Sequence, residues 1–112
     1  MRDTLIDLYL EGAVEERCGF ILEDGTLVEI SNVHSEPEKG FRMDPHELLQ
    51  HLDDPIVATW HTHPGGDPNL SQEDYGGFLN WPHLKHYIVG TLNGEPAVEA
   101  FEVVDGLVLK CG

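Results

Sequence analysis

Residues 56–60 limit the possible folds more than any other segment of this chain. They are mostly apolar and β-branched, which favours a β-strand, and they do not alternate strictly between apolar and polar side chains. A strand of this type is usually covered on both faces, as in sheets with helices packed on each side. The segment therefore predicts a central strand in an α/β domain.

Helices are predicted before and after this strand. Asp3 is expected to cap a first helix that runs towards Gly12. Asp44 followed by Pro45 indicates the start of a second helix, and Ser71 is expected to open a third. The leucines of the second helix are expected to face the core: Leu48, Leu49 and Leu52.

Further strands are predicted at five places, joined in part by Asp-Gly or Asn-Gly turns that favour tight hairpins. These strands are Cys18–Leu22, Leu27–Ile30, residues 87–92, residues 97–104 and Leu107–Lys110. Helices that interleave with strands and end in a meander indicate one mixed sheet with helices packed on it. We therefore expect an α/β fold, a single-domain mixed β-sheet flanked by helices, over residues 1–112.

Charge and cysteine content exclude several classes of protein. Six Lys and Arg against 21 Asp and Glu give a formal net charge of −15 at pH 7. Nucleic acids and anionic membranes require a basic face, so neither is expected as a partner. Asp3 and Asp7 interrupt the apolar segment that a secretory signal would need. Cys18 and Cys111 are too few for a disulfide scaffold, so reduced thiols and a cytoplasmic location are expected.

Two histidines follow the central strand at a spacing suited to metal binding. His61 and His63 are separated by one residue, and side chains at that separation in a strand project from the same face. Neutral imidazole is a common zinc ligand. Asp74 follows His63 by 11 residues and adds a carboxylate. Two histidines and one carboxylate leave the fourth tetrahedral position open for water, which is typical of catalytic rather than structural zinc.

A hydrolytic zinc site also requires a general base, and two adjacent glutamates are candidates. Glu15 and Glu16 lie just before the first predicted strand, where the local sequence alone favours a solvated acidic surface over a general base. Ser71 precedes Asp74 by three residues, a spacing that also suits a helix cap with an acidic residue in the first turn. These residues alone leave both interpretations open.

In combination, these segments resemble the JAMM motif of the JAB/MPN+ zinc metallopeptidases, in the form of a minimal prokaryotic or phage-type member. The resemblance rests on Glu16-x-Cys18-Gly19, on His61-x-His63-Pro64 and on Ser71-x-x-Asp74. It extends to Asn32 and Phe41 in the intervening loop and covers nearly the whole chain. Thr62 stands where the family often has serine. The resemblance implies the JAB/MPN fold, which is shared with cytidine deaminases.

The resemblance also implies a role for each motif residue. His61, His63 and Asp74 would bind one Zn²⁺ ion together with a catalytic water. Glu16, chosen over Glu15 by its distance from Cys18-Gly19, would be the general base, and Ser71 would donate a hydrogen bond to the oxyanion. The reaction would be hydrolysis of a peptide or isopeptide bond. The zinc deaminases use His-x-Glu and Pro-Cys-x-x-Cys, which this sequence lacks, so deamination is excluded.

Several substrates and one other class of function remain open. The implied substrate is a ubiquitin-like or sulfur-carrier protein with a Gly-Gly tail. A phage tail-assembly peptidase is the alternative, suggested by Trp81-Pro82, and would place the protein in the host cytoplasm. A general deubiquitinase-like isopeptidase is a third possibility, and a non-catalytic MPN-type scaffold is the competing class.

The remaining histidines are expected to lie on loops and helix surfaces rather than in a metal site: His34, His46, His51, His83 and His86. Trp60 and Trp81 are expected to pack in the core or at the rim, and Trp81 is placed where it could border a cleft. Cys18 has apolar neighbours and is expected to be a small core residue rather than a nucleophile.

Overall fold

The computed structural model describes residues 1–111, and in that range the chain forms three helices and six strands. In chain order they are α1 (Arg2–Tyr9), β1 (Cys18–Leu22), β2 (Leu27–Ile30), α2 (Pro45–Leu49), β3 (Ile56–Thr62), α3 (Gln72–Leu79), β4 (Lys85–Leu92), β5 (Glu95–Val104) and β6 (Leu107–Lys110). None of these helices is long and apolar enough to cross a membrane.

The six strands form one mixed sheet in the order β2-β1-β3-β4-β5-β6. β3 pairs with β4 in parallel, and all other neighbours are antiparallel. The prediction of a mixed sheet flanked by helices is confirmed, and residues 56–60 do lie in an interior strand. β3 continues two residues further than predicted, to Thr62, so His61 belongs to the strand itself.

Side-chain alternation along β3 divides the core between the two faces of the sheet. Trp60 is fully buried on the face that packs against Leu5 and Leu8 of α1. His61 points to the opposite face, where Phe78 of α3 packs on the sheet. β3 thus contributes the Trp60 side chain to the core on one face of the sheet and the His61 imidazole to the opposite face.

Gly19 in β1 is required by the close packing around Trp60. The Trp60 indole N–H donates a hydrogen bond to the Val28 carbonyl at 3.3 Å. A Cβ atom at residue 19 would lie 1.8 Å from that carbonyl oxygen and 2.8 Å from the indole nitrogen. Only glycine therefore fits between the two, which gives this position of the Cys18-Gly19 pair a structural reason.

The predicted turns of the meander are present. Asn93 and Gly94 have φ angles of 54° and 79°, and Asp105 and Gly106 have 51° and 77°. These positive values at both central residues are typical of the tight hairpin turns that Asn-Gly and Asp-Gly pairs favour.

Local predictions for the first two helices were wrong in part. α1 begins after Met1, so Asp3 lies inside the first turn instead of capping it, and the helix ends at Tyr9. α2 ends at Leu49, and Leu49 and Leu52 are 62% and 56% exposed. A helix of five residues is too short to present a continuous apolar stripe, so its leucines cannot all face the core.

Candidate metal centre

The two histidines of the motif converge as their spacing predicted. His61 is completely buried near the end of β3. His63 lies one residue beyond the strand, and its backbone N–H continues the pairing with β4 by donating to the Val89 carbonyl at 2.8 Å. The Nε2 atoms of the two rings are 3.1 Å apart. The extended backbone therefore brings both rings to one point.

Asp74 completes this cluster from the first turn of α3. Ser71 and Asp74 form a capping box: the Ser71 hydroxyl accepts from the Asp74 backbone N–H, and the Asp74 carboxylate accepts from the Ser71 N–H, both at 3.0 Å. Asp74 Oδ1 lies 3.2 Å from His61 Nε2, and Oδ2 lies 3.1 Å from His63 Nε2. The cap thus fixes a carboxylate that also faces both imidazoles.

The hydrogen bonding of His63 determines which of its nitrogens faces the cluster. His63 Nδ1 lies 2.9 Å from the Asp67 carbonyl oxygen, which can only accept a hydrogen bond. Nδ1 therefore carries the hydrogen, and in the neutral ring Nε2 presents a lone pair to Asp74 and His61. A backbone carbonyl on the far nitrogen is the usual support of a metal-binding histidine.

Glu16 reaches the same cluster from the residues just before β1, whereas Glu15 is exposed. The Glu16 side chain is buried, at 6% exposure, and its ligand atom lies within 4.8 Å of those of both histidines. In the described part of the chain, the buried side-chain atoms without a hydrogen-bond partner are Glu16 Oε1 and His61 Nδ1. Glu16 Oε1 is on a side chain that reaches both histidines, and unpartnered buried polar atoms often mark a site built for another group. His61 Nδ1 is the ring nitrogen other than the one that faces His63 and Asp74.

Burial and neighbouring charges shift the pKa values of all four groups. Burial raises the pKa of Glu16 to about 7, although His63 opposes the shift. Burial lowers the pKa of His61. Burial also disfavours the charged form of Asp74, but hydrogen bonding with His61, and with His63 in its protonated form, outweighs it and holds the Asp74 pKa well below its usual range. The pKa of His63 is raised because Asp74 and the Asp67 carbonyl outweigh burial.

The loop between β2 and α2 holds Glu16 in place through Asn32. The Asn32 amide N–H₂ donates to the carbonyls of Glu16, Gly40 and Pro37 at 2.8, 3.0 and 3.3 Å. Its carbonyl oxygen accepts from the backbone N–H groups of His34 and Arg42, both at 3.0 Å. The Asn32 side chain therefore connects the β2–α2 loop to the backbone of Glu16, the candidate general base.

Two aromatic residues support the histidines. Phe41 stacks on the His61 ring with centroids 4.3 Å apart. The Tyr9 hydroxyl donates to the His63 carbonyl and accepts from Gly65 N–H, both at 3.1 Å. No local signal in the sequence connects Tyr9 to residues 54 and 56 positions away.

The prediction that His86 lies on the surface was wrong. β4 begins at Lys85 rather than at residue 87, and His86 is 1% exposed on the face that α3 covers. Its Nε2–H donates to the Trp81 carbonyl at 3.1 Å, and its Nδ1 lies 2.6 Å from the Thr59 hydroxyl. Both ring nitrogens are occupied, so His86 is a core residue in this structure.

The donor set of the cluster fits a divalent zinc ion. Zinc bonds of about 2.0–2.2 Å place tetrahedral ligand atoms about 3.3–3.6 Å apart. The Nε2 atoms of His61 and His63 are 3.1 Å apart, and they lie 3.2 and 3.1 Å, respectively, from two different carboxylate oxygens of Asp74. Two imidazoles and one carboxylate are also ligands that zinc prefers in catalytic sites. A Glu-His-His group that could hold a metal ion is thus present in the described chain, with Asp74 beside it.

The sheet and the cluster at the end of its interior strand define an α/β domain with a candidate metal site. The chain belongs to the family of prokaryotic homologs of the JAB domain, which it matches over residues 1–103. No curated protein matches the chain in sequence.

Two solved structures are similar to this chain in fold. A Desulfitobacterium hafniense protein, determined in solution, superposes with a TM-score of 0.72 and 20% sequence identity, over 97% of this chain and 84% of that one. A Salinibacter ruber protein, also determined in solution, gives a TM-score of 0.53 at 20% identity, over 100% of this chain and 87% of that one. At these identities the likeness extends to the fold alone.

Proposed function

We propose that the protein is a zinc-dependent peptidase or isopeptidase. The observation that carries this proposal is the convergence of His61, His63 and Asp74, with the unpartnered carboxylate oxygen of Glu16 beside them. Structural zinc sites are closed by four protein ligands, whereas three ligands next to a free carboxylate are typical of hydrolytic sites. His61, His63 and Asp74 would hold the ion.

When bound, zinc would polarise the substrate carbonyl and acidify the attacking water. Glu16 takes the proton of that water on its free carboxylate oxygen and delivers it to the leaving amine. Glu16 suits this exchange because it is buried beside the histidines and one of its carboxylate oxygens has no hydrogen-bond partner, so a proton acceptor is available next to the site. The Ser71 hydroxyl accepts from Asp74 N–H, so its own hydrogen remains available for the developing oxyanion.

The substrate we propose is a ubiquitin-like or sulfur-carrier protein that ends in Gly-Gly. The net charge of −15 favours association with a partner that carries a basic surface, mainly through the rate of encounter. That contribution decreases at high salt.

Substitution of the two adjacent glutamates tests the proposal. Glu16→Gln should retain zinc but lose hydrolysis by at least about 100-fold, within the range expected for loss of a general base. Glu15→Gln is the matched control, because it makes the same change on the exposed neighbour, and it should retain activity. Zinc content is measured by mass spectrometry of the intact protein, and hydrolysis with Gly-Gly-containing probes.

Each outcome separates the competing functions. Purified wild-type protein that binds no zinc would overturn the proposal. Wild-type protein that binds zinc but cleaves no substrate would instead indicate a non-catalytic scaffold. The Glu16→Gln protein also serves as a trap: capture of a small Gly-Gly-ended protein supports the carrier substrate, and capture of tail components supports the phage alternative.

A further inference from the structure

A tight turn over residues 63–67 carries His63 beyond the end of β3. Gly66 N–H donates to the His63 carbonyl at 3.0 Å, and Gly65 has a φ angle of 70°. The turn also reaches the His63 ring, because Asp67 supplies the carbonyl oxygen that lies 2.9 Å from Nδ1. The orientation of the His63 imidazole therefore depends on where this turn lies.

The backbone of β4 supports the turn. Thr91 N–H donates to the Gly66 carbonyl at 2.7 Å. The residue before it is glycine, and a Cβ atom at Gly90 would clash with the Gly66 carbonyl oxygen and lie 2.9 Å from the carbonyl carbon of Asp67. The turn thus packs directly on the strand, and a side chain at residue 90 would displace it.

The Tyr9 hydroxyl ties the turn to β4 from a third element, α1. It contacts the His63 carbonyl at 3.1 Å, Gly65 N–H at 3.1 Å and the Thr91 hydroxyl at 2.7 Å. A phenol has one hydrogen to donate, and its oxygen can also accept. The arrangement that uses all three contacts gives the Tyr9 hydrogen to the His63 carbonyl, which can only accept. The oxygen then accepts from the other two groups.

One side chain of α1 is therefore bonded to the backbone of a candidate metal ligand and to the turn that orients its ring. We propose that Tyr9 is a positioning residue of the metal centre. Through the turn it fixes the Asp67 carbonyl against His63 Nδ1, and this increases the affinity of the site for zinc. The effect on zinc rests on the proposed function. Loss of a group that orients a metal ligand typically weakens metal binding by about 10–100-fold.

Two tyrosines that pack against the same core provide a matched pair of variants. Tyr9 and Tyr87 are both half-buried there, but among the described residues the Tyr87 hydroxyl has no hydrogen-bond partner. Tyr9→Phe should raise the Kd for zinc by about tenfold or more, whereas Tyr87→Phe should leave it unchanged. The Kd is measured by competition with a chromogenic chelator. Urea unfolding of the metal-free proteins is measured alongside, because a purely structural role would lower stability without changing zinc affinity.

Thr91 provides a second pair of variants that does not alter Tyr9 itself. Thr91→Val removes the hydroxyl that bonds to Tyr9, and Thr91→Ser keeps it. Both retain the backbone N–H that donates to the Gly66 carbonyl. The valine protein should bind zinc more weakly than the wild type, and the serine protein should recover most of the affinity. This pair decides the question if Tyr9→Phe does not fold.

Hydrogen exchange in the metal-free protein separates failure of this inference from failure of the zinc proposal. Gly65 N–H donates to the Tyr9 hydroxyl, so its protection from exchange should be lost in Tyr9→Phe and kept in Tyr87→Phe. If the wild type binds no zinc but this difference appears, the positioning role stands and the zinc function fails. Equal zinc affinity in Tyr9→Phe and the wild type would overturn the inference and leave the proposed function intact. Absence of both zinc binding and the exchange difference would overturn both.

Discussion

His61 and Glu16 lie within the same cluster, but different interactions hold them there. His61 lies in β3, where its backbone is paired with Cys18 of β1 on one side and with Ile88 of β4 on the other. Glu16 precedes β1, and its backbone is fixed by individual bonds: its N–H donates to the Pro37 carbonyl at 2.7 Å, and its carbonyl accepts from Asn32.

This difference determines how the two parts of the site, the histidines at the end of β3 and Glu16 before β1, respond to mutation. Backbone pairing does not depend on the identity of the side chains, so the histidines keep their place in most single variants of the sheet. The position of Glu16 depends on a few polar side chains, because the loop makes little regular structure around it. A single substitution can therefore displace the candidate base while the candidate metal ligands stay together.

The largest effect is expected from Asn32→Asp. The substitution keeps the size of the side chain and the acceptor for His34 and Arg42. It replaces the two N–H donors, which together reach three carbonyl oxygens, with a carboxylate oxygen that faces those carbonyls. We expect unfolding in urea to show a loss of about 3 kcal/mol, since unsatisfied buried polar groups cost about 1–3 kcal/mol each. Hydrolysis should fall by about 100-fold, because a displacement near 1 Å is sufficient for that loss.

Zinc content distinguishes a displaced base from a disrupted site in this variant. Asn32 does not contact His61, His63 or Asp74 through a hydrogen bond in the described structure, so Asn32→Asp should still bind one zinc ion. Asn69→Ala is a control for loss of an exposed asparagine and should leave hydrolysis unchanged. Normal activity in Asn32→Asp would contradict the view that the loop positions Glu16.

The same contrast explains which parts of the fold could be predicted from the sequence. The interior strand, the hairpin turns and the convergence of His61 with His63 depend on short-range patterns, and these predictions were correct. The order of strands in the sheet depends on contacts between distant residues, such as the parallel pairing of His61 with Ile88. No local pattern contains that information.

The surroundings of the site were harder to predict than its motif residues. Asn32 and Phe41 were noticed only through the resemblance to a known family, because asparagine in a loop usually indicates a turn. His86 was misplaced because its burial depends on where β4 starts relative to α3, and that start was predicted two residues too late. Burial of a polar residue follows from tertiary packing, which the period of a strand does not specify.

The free energy of unfolding is expected to depend on pH through His86, which is buried in β4. Burial lowers its pKa to about 4, from an ordinary value of 6.5. Below pH 6.5, His86 is therefore protonated in the unfolded chain but remains neutral in the folded protein. The free energy of unfolding decreases as the pH falls, until the pH reaches about 4. This group alone should remove up to about 3 kcal/mol between those two values.

Urea unfolding at several pH values measures this contribution. His86→Gln can still bond to Thr59 and Trp81 but cannot be protonated, so its stability should fall less steeply between pH 6.5 and pH 4 than that of the wild type. His83→Gln, at an exposed position, should keep the wild-type slope. Equal slopes in all three proteins would show that His86 is not the group that destabilises the sheet in acid.

The smallest of these effects is expected at Thr62, the residue of β3 that is hydrogen-bonded to Arg17, next to Glu16. Its hydroxyl accepts a hydrogen bond from Arg17 N–H at 2.8 Å, and its own N–H donates to the Arg17 carbonyl at 2.9 Å. Thr62→Val keeps the shape and the second bond but leaves Arg17 N–H without its acceptor. The free energy of unfolding should fall by about 1–2 kcal/mol, within the usual cost of one unsatisfied donor.

Thr62→Ser tests whether that loss comes from the hydroxyl. Serine keeps the acceptor for Arg17 N–H and loses only the methyl group, so hydrolysis should remain close to the wild-type rate. Thr62→Val removes the hydrogen bond that holds the backbone of Arg17, the residue next to Glu16. Because this change displaces the general base and leaves the substrate-binding surface in place, kcat should fall more than KM rises. If the valine and serine proteins lost activity equally, packing of the methyl group rather than the hydrogen bond would couple β3 to Glu16. The positions of the histidines and of Glu16 would then both depend on packing within the sheet, and the contrast between them would not hold at Thr62.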